Sequence, residues 1–423
     1  MSLALGIDVG TSGVRTAVLD ENGAVLSMAR SPHLPQNAGR IDARKWWQAV
    51  EICILRQVSA LKDSGRRGAE ISRIAVDGTS GSMVLCDAGL HPVGRALMYN
   101  SAGFESEAAR ISRHAPQPHI ARGPNSALAR AMRLVAEDTD GKAHHLLHQA
   151  DFVAARLTGR AGQTDHNNAM KTGLDPASGD WPDWIGAVID TTLLPYAHAV
   201  GTPVAEIQPS LAIRLGLASK AIICAGTTDS IGAFLAAAPA GTGSAVTSLG
   251  STLAIKLLSR ERIDDPSIGL YSHRLGNAWL VGGASNSGGA VLAHYFSPED
   301  IARLSAGIDP GKPSGLDYCP LIRPGERFPI NDPELAPRIT PRPADDSLFL
   351  QGLLEAIARI ESQCYREIET RGGGFPETIY SAGGGARNPA FTEIRAKALG
   401  IVPICAEGVE AAVGTARVAA GRF

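Results

Sequence analysis

The feature that most constrains the fold is a pattern of short apolar segments and turns that occurs once in each half of the chain. Ala4 to Val9 is apolar, Gly10-Thr11-Ser12-Gly13 is a turn, and Val14 to Leu19 alternates apolar with polar residues. Ala245 to Leu249 and the turn Gly250-Ser251-Thr252 repeat this order. Short apolar runs and strict alternation between turn residues are typical of strands. We therefore predict a three-stranded antiparallel meander at the start of each half.

The repeat predicts a duplicated α/β fold. After each meander, helical and strand patterns alternate, which favours a sheet packed against helices. We expect two domains with a cleft between them. The N-terminal domain is predicted over residues 1–227 and joined by residues 407–423, whose helical segment returns to the first half. The second domain is predicted over residues 228–406.

Local signals place several elements within this frame. Asp42 is a predicted N-cap for the first long helix. Asp346 to Arg371 carries apolar residues at helical spacing and predicts a second long helix. The neighbouring His144, His145 and His148 are interpreted as a surface helix end rather than a metal site.

Composition excludes several classes of protein. The chain carries 40 Lys+Arg and 42 Asp+Glu, so we expect no nucleic-acid partner, which would require a basic surface. It contains no stretch of about 20 apolar residues, so we expect no membrane span. Its first residues lack the basic segment of a secretory signal. The six cysteines form no closely spaced pair and are predicted to be buried, reduced thiols of a cytoplasmic protein.

Glycine is over-represented, at 47 of 423 residues, or about 11% against roughly 7% in average proteins. Many glycines are scattered, but one subset lies at predicted strand ends, where the backbone can approach a ligand closely. This subset comprises Gly10, Gly13, Gly226, Gly250, Gly282, Gly283 and Gly383 to Gly385. Because α/β proteins bind ligands at the carboxyl ends of strands, these glycines predict a binding site.

Two acidic residues at strand ends are candidates for chemistry. Asp8 ends the first strand and precedes Thr11 and Ser12, whose turn could cradle a phosphate while the acid holds a hydrated Mg²⁺. The alternative for this turn is an ordinary hairpin. Asp229 lies between a predicted strand and an apolar helix. It is either an N-cap or a general base, and one corner can serve both roles.

Two further loops follow predicted strands in the second half. Gly250-Ser251-Thr252 is a candidate second phosphate turn, and Gly383-Gly384-Gly385 lies between a strand and a helix. The alternative for each is a loop that binds nothing. No dinucleotide fingerprint and no Walker A lysine loop is present. The order along the chain is thus an acid, two phosphate turns and a glycine-rich loop.

This order resembles that of the superfamily of sugar kinases, actin and heat-shock ATPases. Leu5 to Ser12 is similar to the opening of the FGGY carbohydrate kinases, and Trp46-Trp47 after Gly39 is similar to their Trp-Trp helix. Gly325 to Pro329 resembles their G-E-R-x-P segment, and Ser381 to Asn388 their adenosine loop. The resemblance implies two actin-like domains of ribonuclease H type, with the order βββαβαβα. It also implies a kinase that uses ATP and Mg²⁺ to phosphorylate a small sugar.

The resemblance implies a role for each motif residue. Asp229 would be the general base, and Asp8 would orient Mg²⁺–ATP and contact the sugar. Thr11, with Ser12 beside it, would bind the γ-phosphate, and Ser80 would hydrogen-bond the sugar. The remaining nucleotide-binding residues would be Gly250, Ser251, Thr252, Gly384, Gly385 and Asn388, the last three at the adenosine.

The substrate follows from a finer resemblance. Asp77 to Gly81 and Gly226 to Ile231 are similar to the short, xylulose kinase-like enzymes of cyanobacteria and plant plastids that phosphorylate D-ribulose. Typical xylulose kinases carry Met-His-Gly where this chain has Thr79-Ser80-Gly81, which counts against D-xylulose. Residues 125–138 lack the lysine and tryptophan of the first family signature. D-Ribulose is the first candidate, while D-xylulose, L-ribulose, a polyol and a non-catalytic sugar sensor remain alternatives. A homodimer is left open.

Overall fold

The computed structural model describes residues 2–32, 39–239, 241–408 and 410–423. Its strands are β1 (Leu3–Val9), β2 (Gly13–Leu19), β3 (Val25–Pro32), β4 (Arg40–Ile41), β5 (Ile71–Gly78), β6 (Met83–Cys86), β7 (Pro92–Leu97), β8 (His145–His148), β9 (Gln163–Asp165), β10 (Tyr196–His198), β11 (Pro203–Glu206), β12 (Ile222–Thr228), β13 (Ser244–Leu249), β14 (Leu253–Ser259), β15 (Tyr271–Leu275), β16 (Ala278–Ser285), β17 (Thr378–Ala382) and β18 (Ile404–Cys405). Its α-helices are α1 (Arg44–Asp63), α2 (Glu105–Ile111), α3 (Ala127–Glu137), α4 (Gln149–Thr158), α5 (His166–Thr172), α6 (Pro209–Leu215), α7 (Asp229–Ala237), α8 (Gly289–Tyr295), α9 (Pro298–Ser305), α10 (Asp346–Thr370), α11 (Pro389–Leu399) and α12 (Ala411–Ala420).

The chain forms two compact units. The first contains residues 1–236 and 410–423, and the second contains residues 237–409. The predicted boundary at residue 227 lies within β12, whereas the first unit runs on through most of α7. Helix α12 belongs to the first unit because it packs on β1, β2 and β5.

The first unit is built on a six-stranded sheet of order β11-β12-β5-β1-β2-β3. Strands β1, β2 and β3 form the predicted antiparallel meander, while β1, β5 and β12 are parallel. All seven residues of β1 are buried, so neither face of this strand contacts water. Three parallel strands therefore end at the same edge of this sheet.

Helix α1 covers one face of the sheet with an apolar side that includes Trp46, Val50 and Ile54. The prediction that Asp42 is its N-cap is wrong, because Ala43 occupies that position. Asp42 instead accepts hydrogen bonds from the backbone and side chain of Arg44, the first residue of the helix.

A second sheet, of order β4-β7-β6-β8, packs beside the helices of the first unit. The interpretation of His144, His145 and His148 as a surface helix end is wrong in two respects. His145 and His148 lie in β8, and the helix end that His148 forms, as the N-cap of α4, is not at the surface. His148 is buried and its ring nitrogens contact Asp151 and Thr172, so it belongs to the interior.

The second unit contains a six-stranded sheet of order β15-β16-β14-β13-β17-β18. Strands β13, β14 and β16 form its antiparallel meander, and β17 pairs with β13 in parallel. Helix α10 packs over this sheet and ends at Thr370, immediately before the stretch that contains Gly372 and Gly373. The two units thus repeat one architecture, as the sequence predicts.

All six cysteines lie within the described ranges and are free thiols, and four of them are buried. The prediction of burial is wrong for Cys405, which is exposed, and for Cys319, which is only partly buried. Across the same ranges, none of the helices combines the length and apolarity that crossing a membrane requires.

Candidate functional site

An acidic edge is formed where β1, β5 and β12 end. Asp8 of β1 is paired in register with Asp77 of β5, and Asp77 is paired with Thr227 of β12. Asp229 follows two residues later as the first residue of α7. The predicted residues Asp8 and Asp229 therefore flank the same strand end, with Asp77 between their strands.

A bulge in β12 changes the direction of the last residues of that strand. The register between β12 and β5 shifts between Cys224 and Thr227, where Gly226 lies. A Cβ atom on Gly226 would lie 1.7 Å from the carbonyl oxygen of Val76, so no other residue fits there without moving the strands apart. Bulges of this kind commonly re-aim a side chain at a functional site. Here the bulge immediately precedes Asp229.

The acidic edge is strongly desolvated. Burial raises the pKa of Asp8, and the neighbouring Asp77 and Arg15 oppose this rise. Burial together with the charge of Asp8 holds the pKa of Asp77 well above its usual range, and the charge of Asp229 adds to that effect. Two adjacent carboxyls of which one resists ionisation are a common arrangement at catalytic sites.

Two side chains, one from α12 and one from β2, contact this pair. Thr415 Oγ1 of α12 donates to Asp77 Oδ2. Arg15 Nη1 lies 3.4 Å from Asp8 Oδ2, and Arg15 Nε lies 3.2 Å from Glu410 Oε2. Asp77 Oδ1 is buried and has no hydrogen-bond partner among the described residues. One carboxylate oxygen is therefore available for a ligand.

The turn between β1 and β2 presents hydroxyls to solvent. Thr11 and Ser12 are both exposed, and the turn is closed by a hydrogen bond from Gly10 N to Gly13 O of 2.9 Å. A Cβ atom on Gly13 would lie 2.6 Å from the carbonyl oxygen of Ser31, so the close pairing with β3 requires glycine. The turn has the form that the phosphate-binding prediction needs.

The loop after β5, residues Thr79 to Ser82, carries the predicted sugar ligand Ser80 and is called the acceptor loop here. Ser80 Oγ is buried and has no partner among the described residues. The flanking residues are fixed: Gln149 Oε1 accepts from Thr79 N at 2.9 Å and from Thr79 Oγ1 at 2.7 Å. Thr79 Oγ1 and Ser82 Oγ are 2.6 Å apart. The loop is hydrogen-bonded at both ends, through Thr79 and Ser82, whereas the hydroxyl of Ser80 between them is unpaired among the described residues.

In the second unit, a cavity of about 700 Å³ lies beside the glycine-rich loop. Gly384, Gly385 and Asn388 are on its wall together with Gly289. Its apolar lining consists mainly of Leu249, Leu292, Ile301, Ile308, Leu354, Ile357 and Phe391. A largely apolar cavity with a few polar groups at one side suits a flat aromatic ring.

Gly250, Ser251 and Thr252 form the exposed turn between β13 and β14, adjacent to this cavity rather than in its wall. Gly289 N donates to Gly250 O at 2.8 Å, and Ala290 N donates to Ser251 O at 3.0 Å. The turn is thereby fixed to the start of α8. The structure brings this turn and the triple-glycine loop to one end of the sheet, because Ser248 and Ala382 are paired in register.

Asn388 has a structural function in addition to its predicted one. Its Oδ1 accepts from Phe391 N at 3.1 Å and caps α11, and its Nδ2 donates to Ser305 Oγ at 2.8 Å. One N–H of the amide is left for a ligand. Sequence reasoning identified the residue but not the cap.

Asp77, Gln149 and Arg15 are site residues that the sequence prediction missed. Asp77 lies within a motif that the sequence singled out, but its function depends on pairing with Asp8, which is distant in the chain. Gln149 begins α4, and no local pattern relates it to Thr79. Asp77 could have been found from its place at the carboxyl end of a predicted strand, where α/β proteins bind ligands. Gln149 has no such position in the sequence pattern.

The sequence matches one family along nearly its whole length. Residues 3–236 match the N-terminal domain of the FGGY family of carbohydrate kinases, and residues 245–421 match its C-terminal domain. The xylulose kinase of Bacillus subtilis is 24% identical, over 94% of this chain and 83% of that protein. The xylulose kinase of Escherichia coli is 22% identical, over 78% of this chain and 71% of that protein.

Solved structures share the fold. A xylulose kinase from Rhodospirillum rubrum superposes with a TM-score of 0.84 at 20% identity, covering 99% of this chain and 89% of that one. A glycerol kinase from Plasmodium falciparum, solved with ADP, superposes with a TM-score of 0.86 at 15% identity, covering 99% and 89%. These neighbours have the two-domain actin-like ATPase fold, so the predicted fold class is confirmed.

Proposed function

The chain belongs to the FGGY family of carbohydrate kinases and is a sugar kinase, and we propose that it transfers the γ-phosphoryl group of ATP to a ketopentose. The first candidate reaction converts D-ribulose to D-ribulose 5-phosphate. The observation that supports the proposal most is the acidic edge, where Asp229 follows the bulge of β12 beside Asp8 and Asp77. An acid at a strand-to-helix corner is placed where a general base must meet a bound hydroxyl.

The proposed step uses Asp229 as the base. Its carboxylate accepts the proton of the terminal sugar hydroxyl, the resulting oxygen attacks the γ-phosphorus in line, and the bond to the β-phosphate oxygen breaks to release ADP. Asp229 Oδ1 accepts a hydrogen bond from Ser230 N at 2.7 Å, which orients the carboxylate at the start of α7. Such catalysis depends on positioning and charge stabilisation.

Asp8 is proposed to hold Mg²⁺–ATP. The donor set fits, since Asp8 supplies a carboxylate at this edge and the neighbouring Asp77 has a buried Oδ1 without a hydrogen-bond partner among the described residues. The described residues contain no group of three or more metal-binding side chains, but Mg²⁺ typically takes one or two carboxylates plus substrate phosphates and water. When bound, the ion would neutralise charge on the phosphates. The exposed hydroxyls of Thr11 and Ser12 would bind the γ-phosphate beside it.

The second unit is proposed to bind the adenosine. Its cavity of about 700 Å³ is large enough for a nucleoside, and the wall combines aliphatic side chains with exposed backbone at Gly384 and Gly385. The free N–H of Asn388 would donate to the ligand, and the turn Gly250 to Thr252 would contact the phosphates. The glycerol kinase neighbour was solved with ADP, which agrees with a nucleotide in this fold.

D-Xylulose is the second candidate acceptor. It is favoured by the curated relatives, which are xylulose kinases. D-Ribulose is favoured by the acceptor loop, where Ser80 offers a small hydroxyl next to Gly81 rather than an imidazole. Initial rates of ADP release over a panel of ketoses and polyols would decide between them. A kcat/KM at least tenfold higher for another sugar would reject D-ribulose, and no ADP release with any sugar would favour a non-catalytic sensor.

The base assignment has a direct test in Asp229→Asn. We expect kcat to fall on the order of 10²–10⁴-fold, the usual contribution of a general base, while the Kd for ADP measured by calorimetry stays unchanged. Asp345→Asn is a matched control, because Asp345 also starts a helix and Asn caps a helix equally well. A kcat for Asp229→Asn close to that of the control would reject Asp229 as the base.

A further inference from the structure

Arg130 is a buried cation without an acidic partner. Only 2% of the residue is exposed, and in the part of the chain that the structure describes no carboxylate contacts its guanidinium. Burial lowers its pKa to about 10, and no neighbouring charge offsets that effect. A buried charge without a counter-charge is costly, so the position calls for an explanation beyond packing.

The guanidinium of Arg130 fastens the loop that follows β7. Its Nη2 donates to the carbonyl oxygen of Tyr99, and its Nε donates to Ser101 Oγ at 3.1 Å. The other side of Tyr99 is held as well, since Tyr99 N donates to Ser82 Oγ at 2.9 Å. Ser82 belongs to the acceptor loop. The carbonyl group of Tyr99 is therefore bonded to Arg130, and its N–H group is bonded to the acceptor loop.

Arg130 also lies close to the acceptor loop. Gly81 has a positive φ of 86°, and a Cβ atom on it would lie 3.2 Å from Arg130 Nη1. The loop is therefore supported directly by Gln149 and, through Tyr99, by Arg130.

A second arginine on the same helix provides a contrast. Arg130 and Arg133 both lie over the ring of Phe104, at 5.9 Å and 5.2 Å from its centroid. Arg133 is partly exposed and forms an ion pair with Glu107, with Nε 2.6 Å from Oε1. Arg133 therefore has the acidic partner that an arginine needs for stability, whereas Arg130 has only hydroxyl and carbonyl acceptors on the loop that follows β7.

We propose that Arg130 is the positioning residue of the sugar site: it holds the acceptor loop so that Ser80 Oγ meets an uncharged polyhydroxyl substrate. This inference rests on the proposed function of the acceptor loop. An apolar side chain of similar length would fill the same space at lower cost. The guanidinium is needed instead because its planar fork fixes Tyr99 and Ser101 in one geometry, and Tyr99 in turn is bonded to the acceptor loop.

The test compares Arg130→Met with Arg133→Met. Sugar affinity is measured by calorimetry for the ketose that wild-type protein binds most tightly, and ADP affinity and melting temperature are measured in parallel. We expect Arg130→Met to raise the sugar Kd about tenfold, on the order of one lost charged hydrogen bond, with the ADP Kd unchanged. Arg133→Met should leave the sugar Kd within twofold of wild type. Arg130→Lys, which retains the charge but not the fork, should give an intermediate value.

Ser101→Ala keeps the experiment decisive if Arg130→Met fails to fold. It removes one acceptor of the guanidinium, and we expect a sugar Kd about threefold higher than wild type. A sugar Kd within twofold of wild type for a folded Arg130→Met, or for Ser101→Ala if that variant does not fold, overturns the proposal. Binding of a ketose without turnover by wild-type protein would overturn the proposed kinase reaction and leave the Arg130 comparison valid. Absence of any sugar binding would overturn both.

Discussion

The buried hydroxyl of Ser80 is expected to lower the stability of the protein and to contribute to sugar binding. Its Oγ is buried without a partner, whereas Ser82 Oγ in the same loop is bonded to Tyr99 N. An unpaired buried hydroxyl costs about 1–3 kcal/mol, which a bound sugar would recover. We therefore expect Ser80→Ala to raise the free energy of unfolding by about 1 kcal/mol and to raise the KM for the sugar about tenfold.

Ser82→Ala is the matched control, because its lost hydroxyl is paired on both sides. It should lower the free energy of unfolding in urea by about 1 kcal/mol. If Ser80→Ala is destabilised as much as Ser82→Ala, the hydroxyl of Ser80 is not an unpaired group. If the KM for the sugar is unaltered, Ser80 does not contact the substrate.

The thiols give a second prediction at this scale. Burial raises the pKa of Cys53 to about 11 and that of Cys86 to about 12, so both are protonated at pH 8 and the reactive thiolate is scarce. Cys405 is exposed. We expect iodoacetamide at pH 8 to alkylate Cys405 first and to reach Cys53 and Cys86 only after unfolding. Peptide mass spectrometry against time checks the order, and early labelling of Cys53 would contradict it.

Individual site residues were predictable where one strand end determines them. Asp8 and Asp229 were identified from a carboxylate at the end of an apolar run, and the structure brings both to the acidic edge. Asp77 has equivalent local features. Two features distinguish Asp77: it is buried beside Asp8, and it accepts a hydrogen bond from Thr415, more than 300 residues away in the chain. Contacts of that range leave no local pattern in a single sequence.

A buried network joins four elements of the second unit. Glu361 of α10 and Arg395 of α11 form a bidentate ion pair with distances of 2.7 Å and 2.8 Å, and neither side chain is exposed. Glu361 accepts from Thr247 Oγ1 of β13 at 2.6 Å, and Arg395 donates to Ser381 Oγ of β17 at 2.8 Å. The pair therefore ties two helices to the strands that lead into the nucleotide loops.

Removing one member of this network should be far worse than removing both. Arg395→Met leaves Glu361 buried and unpaired, so we expect the free energy of unfolding to fall by about 3–5 kcal/mol. Glu361→Leu with Arg395→Met replaces the pair by apolar groups and should recover most of that loss. Urea denaturation of the two single variants and the double variant measures the coupling. Additive losses would show that the pair is not a unit.

Elements differ in how far local sequence determines them. Strands β1 and β2 and helix α10 follow from period-two and helical spacing, because each buries a regular face. Strand β8 was misread from its histidines. It is buried because Leu146 and Leu147 pack in two hydrophobic clusters with residues distant in the chain, and a four-residue strand has too few positions to show a period.

At the scale of the whole molecule, glycines allow α12 to close the first unit. A Cβ atom on Gly414 of α12 would lie 1.9 Å from the carbonyl oxygen of Gly232 in α7. A Cβ atom on Gly6 of β1 would lie 2.1 Å from the carbonyl oxygen of Ala412. Helix α12 thus approaches both a strand and a helix more closely than any side chain permits.

Gly414→Ala should therefore destabilise the protein by about 3 kcal/mol, the upper end of the range for overpacking. Gly123→Ala is the control, since a Cβ atom there meets nothing within 4 Å and its φ of -76° suits alanine. We expect the control to match wild type or exceed it slightly. Thermal unfolding followed by circular dichroism compares the two. Equal melting temperatures would show that α12 can shift away from α7 at no cost.

The packing of α12 on β1 has a consequence for how the protein is made. A ribosome synthesises β1 early, and it completes the whole second unit before it reaches α12. Throughout that interval the face of β1 around Gly6 has no cover from its own chain. The nascent polypeptide must shield this apolar face from its neighbours on the polysome, and a chaperone that binds extended apolar segments would have its longest opportunity there.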